Sequence, residues 1–158
     1  MTKKAKLLIT SLILGASAAQ AIDNYSYYHI AGMNDSYMKY NNGNAVKLNG
    51  SKDSIKTRIQ VFDNGNDTYS FKMRKNNGGK RYFKVANNKK IYPNTKNRFQ
   101  SKAQFYITSD NQYIRSKGNG NYLTDDATTI KASISHNSVD TRDHGGFAFH
   151  KCSEQKFK

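Results

Sequence analysis

The chain has no tryptophan, one proline and one cysteine among 158 residues, and only 11 acidic residues against 26 lysines and arginines. Each shortage excludes something. A lone cysteine, Cys152, cannot close an internal disulfide, so packing must hold the fold in place of the disulfide framework common in small exported domains. It reads as a small apolar side chain, with an intermolecular bridge or a reactive thiol as its other uses. No apolar run reaches the roughly 20 residues that a membrane-spanning helix needs, and no stretch carries the period of a long helix. Disorder is disfavoured as well, because aromatics make up 12% of the chain and disordered polar chains lack such groups to offset chain entropy.

The N-terminus stands apart. Lys3, Lys4 and Lys6 precede an apolar stretch from Leu7 to Leu14, and Ala19-Gln20-Ala21 supplies the small-x-small pattern behind which a signal peptidase cuts. The expectation is a signal peptide over residues 1–21 of bacterial type, and a secreted or periplasmic protein. No cysteine follows the cut, which argues against a lipoprotein anchor. Removing 21 of 158 residues leaves 137, enough for a single domain over 22–158. The formal charge then falls from +15 to +12, as three lysines and no acids depart.

Within that domain, short apolar or aromatic runs alternate with turn residues, the pattern of an all-β protein. Twelve strands are predicted, at 27–30, 37–40, 45–48, 58–62, 68–73, 81–85, 89–92, 104–108, 113–116, 122–124, 129–133 and 147–150. Between them lie Asn41-Asn42-Gly43-Asn44, Asp63-Asn64-Gly65-Asn66, Asn76-Asn77-Gly78-Gly79, Asn87-Asn88 and Lys117-Gly118-Asn119-Gly120, residues that accept the positive φ of tight hairpins. Asp125-Asp126 reads as part of a turn, and 135–146 as a long surface loop.

One arrangement occurs three times. Tyr37-Met38, Val46 and Phe62 are followed by Tyr82-Phe83, Ile91 and Phe105, and then by Tyr122-Leu123, Ile130 and Phe147. Tyr and Phe are 25, 23 and 25 residues apart, inside a looser outer period of 45 and 40, as in a structural repeat with variable loops. Adding the preceding strand gives three four-stranded units, about 25–62, 63–105 and 106–150. Gly118-Asn119-Gly120-Asn121-Tyr122-Leu123-Thr124, followed by Thr129-Ile130-Lys131-Ala132, resembles the repeat unit of fascin-like β-trefoils. The resemblance covers essentially the whole exported region. It implies a β-trefoil of twelve short strands, a six-stranded barrel capped by a hairpin triplet. It also implies that Tyr37, Val46, Phe62, Tyr82, Ile91, Phe105, Tyr122, Leu123, Ile130 and Phe147 are core or core-rim residues. Such a motif consists of packing and turn residues, so it speaks to fold and hardly to activity.

The functional signal is electrostatic. From Thr68 to Ser109 there is no acid, while Lys72, Arg74, Lys75, Lys80, Arg81, Lys84, Lys89, Lys90, Lys96, Arg98 and Lys102 all fall there. That lopsided charge would gather polyanions, and arginine adds two-pronged recognition of sulfate, phosphate or carboxylate. The bland alternative is a solvated, solubilising face. The residues expected to bind an anion are Arg74, Lys75, Lys80, Arg81, Lys89 and Lys90. Fibroblast growth factors are trefoils whose basic patch engages heparan sulfate, an analogy that favours a sulfated glycan. Export argues against nucleic acid, and no amphipathic helix is present to insert into an anionic bilayer.

Other chemistries find less support. Ricin-type trefoil lectins carry a Gln-x-Trp motif, which Gln60-Val61-Phe62 and Gln104-Phe105-Tyr106 only partly echo. Asp140, Asp143, His144 and His150 have metal-ligand chemistry, but a polar loop produces that composition by default. His150 and Cys152 would share a strand face, and a thiolate nucleophile needs contact and an orienting third group. The sequence therefore points to an exported, monomeric, non-enzymatic binding module, with no catalytic residue, metal or cofactor expected, that takes an anionic glycan or another polyanion. The alternatives are a protein-binding trefoil (a secreted protease inhibitor, a toxin-associated adaptor or a virulence-related host-interaction factor) and, more weakly, a neutral-sugar lectin.

Overall fold

The structure is a computed structural model, and it describes residues 21–32, 36–40, 43–52, 54–74, 79–108, 113–126, 129–134 and 146–153. The expected signal peptide, except Ala21, lies outside them, as do Lys75, Asn76, Asn77, Asp140, Asp143 and His144.

The chain forms twelve strands: β1 (Tyr27–Gly32), β2 (Tyr37–Tyr40), β3 (Val46–Gly50), β4 (Arg58–Asp63), β5 (Thr68–Arg74), β6 (Lys80–Val85), β7 (Ile91–Thr95), β8 (Phe105–Ile107), β9 (Ile114–Ser116), β10 (Tyr122–Asp126), β11 (Thr129–Ile134) and β12 (Phe147–Cys152). All ladders are antiparallel. Short 3-10 turns at Ile55–Thr57 and Ser101–Ala103 lead into β4 and β8. Each predicted strand has its counterpart here, displaced by a few residues at most. The β10–β11 turn falls later than expected, because Asp125 and Asp126 continue β10 and pair with Ile130 and Thr129.

The barrel strands run in the order β12, β1, β4, β5, β8, β9, and the hairpins β2–β3, β6–β7 and β10–β11 form the cap. Among the described residues β9 and β12 share no ladder. The hairpins meet through Thr129 opposite Lys47 and through a bridge between Lys90 and Lys131. Threefold character is written into the register. Each hairpin has an irregularity at the same place, between Tyr37 and Met38, Tyr82 and Phe83, and Tyr122 and Leu123. The partner strand carries one extra residue there, Asn49, Asn94 or Ser133, as in a β-bulge. Pro93, which cannot donate to a ladder, sits beside that bulge, a position proline tolerates within a sheet.

The bulges decide which residues enter the core. Met38, Phe83 and Leu123 are each 1% exposed, whereas Tyr37, Tyr82 and Tyr122 are half-buried on the outer side. The three tyrosines are therefore rim groups, one of the two places expected for them, and the residue after each fills the core. Val46, Ile91 and Ile130 stand at equivalent core places and are fully buried, as is Phe105, with Phe147 also in the core. Phe62 is buried as expected, but its place in the repeat is different. Pairing with the neighbouring strand places Ile59 opposite Met73, Phe105 opposite Ser116 and Phe147 opposite Gly32, so the first-unit equivalent of Phe105 and Phe147 is Ile59. Phe62 is buried outside the main cluster, against Tyr25 and Tyr82.

Candidate anion-binding face and its counterparts

The tyrosines displaced from the core mark one row for each unit, and the outer strand of each row, β12, β4 or β8, is the last strand of the neighbouring unit. Tyr37 pairs with Ala31, and Ala31 with Ala148. In the second unit the row is Tyr82, Lys72 and Gln60; in the third it is Tyr122, Arg115 and Tyr106. Cross-strand partners share a face with their Cβ atoms about 4.5–5.5 Å apart, so each row is a contiguous strip over three strands. Two residues beyond its outer member stand His150, Phe62 and Thr108 respectively, on the same face by strand alternation.

The second-unit row is filled and cationic. The Lys72 ammonium lies 5.1 Å from the Tyr82 ring centre and 5.5 Å from that of Phe62. The two rings meet edge to face at 5.4 Å. The Arg98 guanidinium sits 5.1 Å from Phe62 and 4.8 Å from Phe99, and Tyr25 meets Phe62 edge-on at 5.3 Å. Phe99 is 62% exposed and Tyr25 57%. Tyr25 also holds a φ of 62°, a left-handed conformation costly for a bulky residue and often found where function requires it. Its amide donates to the Val61 carbonyl and its carbonyl accepts from the Gln60 side chain, at 2.9 and 3.1 Å. Local sequence could not show this group, whose members lie on different strands and on the N-terminal segment.

The described members of the six expected anion-binding residues do not form one site. Arg74 pairs with Lys80 in the β5–β6 ladder, two positions from Lys72. Arg81 alternates to the side of Phe83 and Val85, is half-buried, and donates to the Lys80 carbonyl at 2.8 Å. Lys89 and Lys90 lie at the opposite end of β6, roughly 17 Å away at the usual rise per residue. There they dock on the third unit: the Ala132 amide donates to the Lys89 carbonyl at 2.9 Å. Lys89, not an asparagine, takes the left-handed turn position, at φ 64°. Lys75 lies outside the described residues. Among the described residues no carboxylate pairs with Lys72, Lys80, Lys84, Lys89, Lys90 or Arg98, and the ion pair present, Lys151 with Asp23, lies elsewhere.

The first-unit row carries no cation. Its Tyr37 ring lies 5.9 Å from each of His29 and His150. Burial lowers the His29 pKa, despite a hydrogen-bonding interaction of Nδ1 with the Thr57 hydroxyl at 2.9 Å. Cys152 is half-buried and burial raises its pKa, so its thiolate is disfavoured. Among the described residues no three histidine, cysteine or acidic side chains gather as a metal site would require.

No protein-family model and no curated protein matches this sequence. Solved structures do match in fold. The designed threefold-symmetric protein ThreeFoil superposes with a TM-score of 0.61 at 13% identity, over 78% of this chain and 97% of its own. A chain of the Haemophilus ducreyi cytolethal distending toxin gives 0.63 at 11% identity, over 88% and 92%. One from the Actinobacillus actinomycetemcomitans toxin gives 0.62 at 10%, over 84% and 95%. The chain is an all-β protein with the threefold fold of a trefoil.

Proposed function

We propose that this protein is an exported, non-enzymatic binding module that holds an anionic glycan or similar polyanion on the outer face of its second unit. The observation that carries this reading is the strip of Lys72, Lys80, Lys84 and Arg98, which has no carboxylate partner among the described residues and is interleaved with Phe62, Tyr82 and Phe99. Lysine and arginine supply charge-assisted bonds to sulfate or carboxylate, and the rings hold the cations at the surface and offer apolar contact to a sugar backbone.

Heparin chromatography tests it. Replacing Lys72, Lys80, Lys84 and Arg98 together by glutamine should lower the salt needed for elution well beyond the effect of replacing four cations elsewhere, Lys39, Lys47, Lys52 and Lys56. Equal shifts would reduce the interaction to nonspecific charge. The exposed Tyr25 and Phe99 favour a second reading, a protein partner. In that case binding would survive high salt and fail on Phe99→Ala.

A further inference from the structure

The third-unit row differs from the second in having room. Tyr106, Arg115 and Tyr122, with Ile107 and Thr108, line an open depression of about 200 Å³. The space exists because Thr108 stands where the second unit has Phe62, which there packs on the row tyrosine at 5.4 Å. The Arg115 guanidinium lies 4.7 Å from the Tyr106 ring centre. Stacking of this kind fixes the guanidinium plane and leaves N–H groups at its edge for two-pronged bonding to a carboxylate. Among the described residues no carboxylate pairs with Arg115. The walls are held in place: Tyr113 meets Tyr122 edge-on at 6.4 Å, its amide donates to the Thr108 hydroxyl at 3.1 Å, and the Thr108 amide donates to the Tyr113 carbonyl at 3.0 Å.

We propose that this depression binds a single carboxylated sugar ring, of the uronic or sialic type. The pyranose lies in the depression against the apolar parts of Tyr122 and Ile107, while Tyr106 holds the Arg115 guanidinium in place and Arg115 takes the carboxylate. The volume is below the roughly 300–1,000 Å³ of pockets for drug-sized ligands, so it suits one ring and not an extended chain. An aromatic carboxylate would also stack and pair, but in an open depression its second face would stay against water, where a sugar presents hydroxyls. The site uses none of the cations assigned to the polyanion face.

Saturation-transfer NMR with the purified chain tests this, using glucuronate, N-acetylneuraminate, glucose, acetate and hippurate as separate probes. At least one of the two acidic sugars should bind at millimolar concentration and more tightly than glucose or acetate, and Arg115→Gln should weaken it about tenfold or more, the scale of a lost charge-assisted pair. Thr108→Phe, which leaves the arginine in place, should block the same sugar by filling the space. It keeps the test standing if Arg115→Gln disturbs folding by circular dichroism. The variant with Lys72, Lys80, Lys84 and Arg98 neutralised should bind the sugar normally, which separates this site from the polyanion reading. Equal response to acetate, equal response to glucose, stronger binding of hippurate, no response to either acidic sugar, or indifference to both Arg115→Gln and Thr108→Phe would each overturn the proposal.

Discussion

The second and third units place a cation between the same two strands, beside the same tyrosine, yet one row is full and the other open. Lys72 lies between the rings of Phe62 and Tyr82, and Arg115 lies over Tyr106 beside a depression. The rows differ at Lys72 against Arg115 and Gln60 against Tyr106, but their filling turns on one position, Phe62 against Thr108. The first unit has His150 there and Ala31 in place of the cation, so the fold tolerates all three solutions. The barrel fixes where the rows stand, and the outer residue at each row decides what it can hold.

The largest effects concern what the units share. Phe105→Ala empties a fully buried core position and should cost about 3–5 kcal/mol in urea unfolding. Phe62→Ala should cost less, about 2–3 kcal/mol, because the ring, though only 6% exposed, packs outside the main cluster at a site that can collapse from the solvent side. Equal losses would mean that Phe62 packs as tightly as Phe105, and that the equivalence of Phe105 with Ile59 is wrong. Next comes the exchange of the distinguishing residue. Phe62→Thr should open a depression in the second unit, and Thr108→Phe should close the one in the third, with a loss of about 0.5–1.5 kcal/mol because the Tyr113 amide loses the hydroxyl it donates to. A melting curve for Thr108→Phe and sugar titrations for both would check this. If neither exchange changes which unit binds a small acidic sugar, the outer residue is not the determinant.

Strand content was legible because asparagine and glycine punctuate the apolar runs; Gly65 and Gly120 indeed hold φ of 75° and 73°. The tyrosine repeat was legible as a unit marker, but its sequence did not decide between core and rim. A bulge shifts which neighbour faces inward, and nothing local in Tyr37-Met38, Tyr82-Phe83 or Tyr122-Leu123 distinguishes the two. Phe62 attracted attention as an aromatic while Ile59, the true equivalent, did not. Charge excess in the second unit was plain from composition, but its division was not: alternation along β6 separates Lys80 from Arg81, and the length of the strand separates both from Lys89 and Lys90. The second and third rows join residues 7 to 22 positions apart on three strands, which only register reveals.

A smaller effect tests the filled row directly. Lys72→Met keeps most of the stem that packs along the rings and removes the charge. Cation–ring contacts at exposed sites contribute about 0.5–1 kcal/mol, so unfolding free energy should fall by no more than that, while elution from heparin moves to lower salt. Arg115→Met, lying in the open row of the other unit, should move elution less. An equal shift for both would mean that the polyanion does not distinguish the units.

The finest test concerns the hairpin tip, where Lys89 carries the left-handed conformation that Gly65 and Gly120 carry in their own turns. A non-glycine residue there costs about 1–2 kcal/mol, and glycine gives back about 0.5–1 kcal/mol through the freedom it loses on folding. The first quantity is larger, so Lys89→Gly should stabilise the protein by about 0.5–1 kcal/mol in urea unfolding. The Lys89 carbonyl still accepts from the Ala132 amide in that variant, because the bond uses only backbone. If the tip belongs to the polyanion face, the more stable variant will elute earlier from heparin, a lysine retained against its own backbone cost. If elution is unchanged, the working cations are those of the Lys72 strip alone, and the second unit's charge is active at one end of β6 only.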